Sequence, residues 1–534
     1  MRKQNKKKRK VITFKESTIK NLLSVIEPFV LFKNLDKKNV FEEEGPNKGI
    51  LGHVIEKSVL GIPANSFQNA DIKIIYGKKK VPTEVKTTGV QNIELLDGEK
   101  YHAKECVSLT AVSIGIIENE KWETSHFYEK IAHMLWVFYY YKRDEGEKKV
   151  PYKKYPFFPV LGYKFTHLNE SANDLKKFKS DWMRTRDFLR AANKSANPEK
   201  LYPQLHSAIK KDLFFVDIAP RYKREKGKAP VQPRFRIKKS YVNSVFQQFW
   251  NDLENDSTKK AQLETWGENC NSFADIEREL YERTKCYKGK TIGAIIKELG
   301  IKKNELDIKD KDNWPKSIAE QVFVRMIGCS SKKISNIDLF NRVGIIAKTI
   351  TITEKGSQTE DTKLFTMNLD EIRDKDLAYE DTSYYHYFND FQFLCIIFRE
   401  PSKDAPLKDN KFVGIKRLVF PDFQTDESIE RVYKITCDLI NNEKVVESFC
   451  YKKDNSQIFN RNGTPKISLN FPKSKMFKIF VRGTAEDSSC KRWTFKGKTA
   501  TGKKGIINSY PLQFWIKGSF ITELLKTIKF IGEE

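Results

Sequence analysis

Apolar residues recur at helical spacing through Gly49-Ile50-Leu51-Gly52-His53-Val54-Ile55-Glu56-Lys57-Ser58-Val59-Leu60-Gly61. The run ends on a glycine, so a helix carrying Glu56 and closing at Gly61 is expected. The pattern then changes. Asp71-Ile72-Lys73-Ile74-Ile75-Tyr76 and Val81–Thr88 are rich in strand formers, and Gly77-Lys78-Lys79-Lys80 reads as the turn between them. Pro82 stands near the start of the second strand, where a missing N–H is tolerated. Side chains alternate along a strand, so Glu84 and Lys86 share a face. With Tyr76 paired to Val81, Asp71 falls opposite Lys86 and diagonal to Glu84, at roughly 7–8 Å between backbones.

Further on, Thr124 or Ser125 can cap a helix that carries Phe127, Ile131 and Leu135 at i, i+4 and i+8. Val137–Tyr141 follows as a strand. His126 and His133 then lie on one helix face two turns apart, so a shared metal is not expected. The segments 255–260 and 267–272 are polar and loop-like, placing a boundary near residues 255–280 and dividing the chain into 1–265 and 266–534.

Composition narrows the function classes. Of 534 residues, 39% are hydrophobic and 12% aromatic, enough for packed cores in two to three domains. The net charge of +27 suits a polyanionic partner, most simply nucleic acid. No apolar run is long enough to span a bilayer and no signal peptide is visible, so no membrane partner is expected. Residues 1–12 open with a lysine- and arginine-rich run and read as a disordered basic arm able to touch phosphates. The eight cysteines are scattered without zinc-finger spacing, which fits a reducing, cytoplasmic setting.

The hairpin carries the candidate chemistry. Two carboxylates, Asp71 and Glu84, beside Lys86 are what metal-dependent phosphodiester cleavage needs. The pair can hold one hard cation, and Mg²⁺ is the natural choice. Lys86 would sit by the attacking water and the scissile phosphate. The competing reading is a solvated surface hairpin, because charges alternating on a strand usually mark an exposed face.

In their order along the chain, these segments resemble the MutH-type mismatch-repair endonucleases and, more closely in length and layout, the Sau-type type II restriction enzymes that cut GATC. Lys48-Gly49 with Gly52 and Glu56 resembles the family's opening helix. Asp71, Glu84 and Lys86 resemble its Asp…Glu-x-Lys core. Trp122-Glu123-Thr124-Ser125-His126 is similar to a family signature, and Lys130 falls where the family keeps a second active-site lysine. Ile218-Ala219-Pro220-Arg221 and Phe235–Tyr241 resemble its recognition lobe. The resemblance spans about residues 15–250. Arg236 stands where MutH has a tyrosine associated with sensing methylation, and Ala219 where it has an arginine.

The second half echoes the first. Ser317–Gly328 is similar to the helix ending at Gly61, Asp338 with Ile345–Thr349 to the hairpin, and Thr382-Ser383 to Thr124-Ser125. Val481-Arg482 and Phe514–Phe520 are similar to the recognition lobe. The chain therefore reads as two divergent tandem copies of an α/β, restriction-endonuclease-like fold. In the second copy Phe323 and Ile346 stand for Glu56 and Glu84, and Phe388 lies near the position of Lys130, so its chemistry is lost.

The resemblance implies a double-strand DNA endonuclease leaving 5′-phosphates. Asp71, Glu84 and the Val85 carbonyl would hold Mg²⁺, with Lys86, Lys130 and Glu56 completing the site. Lys48, Arg221, Arg234, Arg236, Lys238, Lys239, Arg482 and Lys517 would contact DNA. Residues 266–534 would bind a second DNA site and stimulate cleavage, with dimerisation on DNA possible and a methyltransferase as genetic partner in a bacterial cytoplasm. A mismatch-repair nickase and a catalytically inactive DNA-binding protein are the alternatives.

Overall fold

The structure is a computed structural model that describes residues 11–47, 49–63, 69–91, 101–144, 150–168, 172–220, 222–224, 228, 230–254, 263–308, 314–358, 360–375, 377–403, 405–420, 427–460, 463–483 and 493–533. The basic run 1–10 lies outside these residues. Ile12, placed in the arm by its sequence, belongs instead to a strand, β1 (Ile12–Lys15).

The first half is built on a mixed sheet of β1, β2 (Val30–Leu31), β3 (Ile72–Tyr76), β4 (Lys79–Gln91), β5 (His102–Ala103), β7 (His133–Tyr140) and β8 (Pro159–His167). The path runs β1-β3-β4-β7-β8-β2, with β5 on β4. β7 lies parallel to β4 and antiparallel to β8. Its sequence explains that central place. Met134, Trp136 and Phe138 enter one core, while Leu135, Val137 and Tyr139 enter another, so both faces are apolar. Pro82 pairs only with β3, because β4 meets β7 from Glu84 onward. Its missing N–H therefore costs no ladder bond.

A second, antiparallel sheet follows the order β6 (Val107–Ala111), β10 (Arg234–Ile237), β9 (Val216–Ala219). β10 leads into the helix Lys239–Glu254.

The second half has a sheet of β11 (Ile345–Ile352), β13 (Gln392–Arg399) and β14 (Lys411–Leu418), the first pair parallel and the second antiparallel. An antiparallel sheet runs β12 (Thr362–Thr366), β20 (Leu512–Ile516), β17 (Ile479–Gly483), and β20 leads into the helix Gly518–Lys526. A third sheet comprises β15 (Val445–Phe449), β16 (Ile467–Leu469), β18 (Trp493–Lys498) and β19 (Lys504–Ser509).

One irregularity recurs. The β7·β8 register shifts between Phe138 and Tyr139 with Gly162 opposite Phe138, and the β13·β14 register shifts between Ile397 and Phe398 with Gly414 opposite Ile397. Gly162 (φ 144°) and Gly414 (φ 150°) both lie outside the range of other residues. A Cβ at Gly162 would stand 2.7 Å from Phe249 Cζ, and one at Gly414 2.8 Å from Phe530 Cδ1.

Three sequence expectations change. Asp338 opens a helix, Asp338–Val343, and sits in no hairpin, because Leu339, Phe340 and Val343 bury at helical spacing. The capping residue of helix Ser383–Asn389 is Thr382, whose hydroxyl accepts the Tyr385 N–H. The position five residues past the cap is thus Tyr387, next to Phe388. Residues 267–272 are no fully solvated linker: Trp266 and Cys270 are buried in a core that runs from Val90 to Ile415, and Trp266 Nε1 donates to the Ile327 carbonyl at 3.2 Å. The two halves share apolar packing across the expected boundary.

Candidate active site

The site forms where β4 changes partners. Its pairing with β3 stops at Ile72↔Thr83, and its pairing with β7 starts at Glu84↔Met134. The edge of β4 that β3 had covered opens there. Asp71, the residue before β3, fills the gap, and its Oδ2 accepts the Val85 N–H at 2.9 Å. The N–H and C=O of one strand residue lie on one edge, so the Val85 carbonyl is on the Asp71 side too.

The register differs from the sequence expectation by two residues. Tyr76 pairs with Lys79, which leaves a two-residue turn, Gly77-Lys78, with Gly77 at φ 59°. Continued by one residue, this register sets Asp71 opposite Glu84 and not opposite Lys86. Directly opposed residues share a face, so the two carboxylates are closer than a diagonal would make them.

Glu84 is the hub. Its side chain is 1% exposed and Lys86 Nζ lies 2.8 Å from its Oε1. Lys130 Nζ donates to both of its oxygens, at 2.8 and 2.9 Å. Lys130 comes from the helix His126–Ile131, which Ser125 caps by accepting the Tyr128 N–H at 3.1 Å. That helix is shorter than expected. Leu135 is on β7, because from His133 onward the chain is apolar on both faces and joins the sheet.

Glu56 comes from the opposite side. The helix Ile50–His53 widens into a π-helical turn, Val54–Val59, and Gly61 (φ 67°) ends it. π turns are rare and recur at functional sites. Burial pushes the Glu56 carboxyl up to about 8, with the charge of Asp71 adding to the effect. Burial likewise pushes Asp71 up to about 6, helped by Glu84 and opposed by Lys86 and the Val85 N–H. Burial alone would pull Lys86 down, but Glu84, Asp71 and Glu56 outweigh it and raise its pKa.

Three carboxylates thus interact with only two ammonium groups, and two of them resist ionising. A site with more carboxyls than ammonium groups and all-oxygen donors fits a hard divalent cation, which favours the ionised forms that burial opposes. The pH dependence follows from these shifts. A raised carboxyl pKa contributes stability below the unfolded value, about 3.9 for Asp and 4.3 for Glu, and loses it as pH rises through the folded value. Without a cation, the unfolding temperature should fall as pH rises through about 6 and about 8. Adding Mg²⁺ should recover more of it at pH 8 than at pH 5.5, as differential scanning fluorimetry would show. Equal recovery at both values would mean that these carboxyls do not meet the ion.

Sequence reasoning set His133 aside, yet it belongs to the site's frame. It is 3% exposed, Thr83 Oγ1 lies 2.7 Å from its Nδ1, and its ring stacks on Phe165. Burial holds its pKa down to about 4. A neutral imidazole next to Met134 therefore ties β7 to β4 at Thr83, one residue before Glu84. The available signal was an unpaired histidine beginning an apolar run.

The expected DNA-binding residues divide. Arg234 is exposed on β10. Arg482 is 45% exposed, lies 3.4 Å from Asp361 and stacks over Trp515. Lys517 is half-buried at the start of its helix. Lys48 and Arg221 lie outside the described residues.

Three others are packed inside the fold. Lys238 is buried, and its Nζ donates to the Leu213 carbonyl at 2.5 Å. Lys239 is buried, with Nζ 3.2 Å from Ser383 Oγ. Arg236 is 12% exposed and clasps Asp217 through Nε (3.0 Å) and Nη2 (2.5 Å). None of the three offers its charge to a phosphate in this arrangement. Each sits where β10 and its helix pack against other elements, which charge patterning alone does not disclose.

Residues 60–171 match the family model described as DNA mismatch repair enzyme MutH. No curated protein matches the chain. The matched stretch contains Asp71, Glu84, Lys86 and Lys130, and Glu56 lies just ahead of it. The match supports a MutH-like nuclease unit with a restriction-endonuclease-like α/β fold, and the mixed sheets agree with it. Among the described residues, no helix is long and apolar enough to cross a membrane.

Proposed function

We propose that the chain is a Mg²⁺-dependent type II restriction endonuclease that cuts both strands of DNA at GATC and leaves 5′-phosphates. The observation that carries this reading is the convergence of Glu56, Asp71, Glu84, Lys86 and Lys130 at the open edge of β4. Asp71, Glu84 and the Val85 carbonyl would hold the ion, with Glu56 at its margin. Mg²⁺ bound there supplies charge neutralisation to the phosphate. Lys86, the more exposed of the two lysines, orients the attacking water and meets developing charge. Lys130 is buried and holds Glu84 in place. Water attacks the phosphorus in line, and the 3′-oxygen leaves.

We also read residues 266–534 as a second, inactive copy that binds another DNA site and stimulates cleavage. The recurring sheet order, the matching register shifts and the paired glycines Gly162 and Gly414 support the duplication. Lys348 is kept, but Ile346 pairs where Glu84 does, one strand over from Phe393. Cutting of both strands, dimerisation on DNA and a partner methyltransferase belong to the same reading.

The deciding experiment digests unmethylated and adenine-methylated plasmid with Mg²⁺. Double-strand fragments ending at GATC support the reading. Nicks alone would favour a repair-type enzyme, and tight binding without cleavage would mean a relic site. Within this scheme Arg234 and Arg482 should separate. Arg234→Ala is expected to weaken binding and to lower the salt slope by about 1 if it meets a phosphate, or to cost about 1–3 kcal/mol at one base pair if it reads a base. Arg482→Ala should reduce the stimulation of a one-site substrate by an added site-bearing duplex. Unchanged stimulation would remove Arg482 from the effector surface.

A further inference from the structure

A second cluster of ligating side chains lies apart from the β4 edge, where the two halves pack together. Cys106 directly precedes β6. His386 lies on the helix Ser383–Asn389, and Asp390 is that helix's C-cap, one turn away. All three are buried, at 9%, 1% and 2% exposure. Cys106 Sγ is 3.7 Å from His386 Nδ1 and 3.5 Å from Asp390 Oδ2, and the last two atoms are 2.7 Å apart. Among the described residues this is the one group of three His, Cys, Asp or Glu side chains whose donor atoms lie so close together.

The spacing suits a tetrahedral ion. Bonds of about 2.0–2.3 Å at Zn²⁺ set neighbouring ligand atoms about 3.3–3.8 Å apart. Two of the three edges already have that length. The third, His386 to Asp390, must open by roughly 0.6 Å as an ion takes the place of the hydrogen-bonding proton. A thiolate and an imidazole select Zn²⁺ over Mg²⁺. Charge also balances, since one thiolate and one carboxylate cancel a divalent ion. Arg236 lies near enough to oppose a cation, but Asp217 neutralises it.

Two further observations point to a ligand. Asn389 Oδ1 is a buried acceptor without a hydrogen-bond partner, while the Nδ2 of the same side chain donates to Asp390 Oδ1 at 2.9 Å. Water in the fourth coordination position would give that oxygen a donor. The cluster also joins two elements distant in sequence, which is where a structural ion contributes most.

We propose that Cys106, His386 and Asp390 form a Zn²⁺ site that clamps the β6-β10-β9 sheet of the first half to the helix Ser383–Asn389 of the second. This inference stands whether or not the chain cuts DNA.

The test uses the full chain carrying Glu84→Ala, so that the β4 edge contributes little metal binding. The protein is stripped of metal and titrated with Co²⁺, then Zn²⁺. A thiolate-to-cobalt charge-transfer band that saturates at about one equivalent and is displaced by Zn²⁺ is expected. Cys106→Ser and Asp390→Asn, each checked for an unchanged circular dichroism spectrum, should lose it. Chelation should lower the unfolding temperature of the parent and leave that of the variants unmoved. Absence of the band at excess Co²⁺ would overturn the site and leave a hydrogen-bonded triad. A band that survives in Cys106→Ser would overturn it too, tracing the signal to another thiol such as the exposed Cys286.

Discussion

Glu84→Gln is expected to lower DNA cleavage at least about 10³-fold while specific DNA binding persists. The substitution keeps shape and volume but removes the charge that three short contacts from Lys130 and Lys86 converge on. Loss of one preorganised electrostatic group in such a site costs about 10²–10³ in rate, and groups that act as a unit cost more. An amide is also a poorer ligand for a hard cation. There is a stability cost, because Lys130 is left buried without its partner. Breaking a buried pair costs about 3–5 kcal/mol, and the nearby charge of Asp71 should keep the loss at the lower end. Lys130→Met separates the two effects. It removes the buried charge and leaves Glu84 paired to Lys86, so it should fall less in stability than Glu84→Gln. Single-turnover cleavage, thermal unfolding and a DNA-binding isotherm on each variant give the three readouts. Cleavage by Glu84→Gln within tenfold of the parent would sink the assignment of the site.

How much of this was legible follows from what each residue needs. Asp71, Glu84, Lys86 and Lys130 sit in short local motifs, so their grouping could be read from the chain. Their register could not. Lys79 and Lys80 look like turn residues, yet an edge hairpin carries lysines readily, and the two-residue turn moved Asp71 from Lys86 to Glu84. Helix and strand were confused at Leu135, where a run apolar at every position satisfies both periods. The fate of a charge was least legible. Lys238 and Arg236 look alike in sequence to Arg234, but the fold spends only Arg234 on the surface. Asp338 failed for a related reason: its apolar neighbours bury in helical register.

That last distinction yields the second large effect. Arg236 and Asp217 form a buried pair, with His206 Nε2 3.2 Å from the second oxygen of Asp217 and Asn389 at 3.5 Å from the same atom. Burial opposes ionisation of Asp217, but Arg236 and His206 hold its carboxyl well below the usual range. A lowered carboxyl pKa contributes stability above the unfolded value, about 3.9, and loses it as pH falls through the folded value. Asp217→Asn should therefore cost about 3–5 kcal/mol at neutral pH, by leaving a buried guanidinium without its counter-charge. The difference from the parent should shrink as pH drops below about 4, where Asp217 of the unfolded chain begins to protonate while the folded carboxyl stays ionised. Arg236→Met should behave in kind, since it strands the carboxylate and leaves only His206 to pair with it. If Arg236 instead met DNA, Arg236→Met would leave the free protein's unfolding unchanged and weaken binding alone. Urea unfolding of the two variants at pH 7 and pH 4, beside DNA affinity at matched fractions folded, decides between a strut and a reader. Because Arg236 also lies 3.8 Å from Asp381, a strut here joins the β10 strand to the second half, proposed above as the effector. Losing it should uncouple stimulation from binding before it abolishes either.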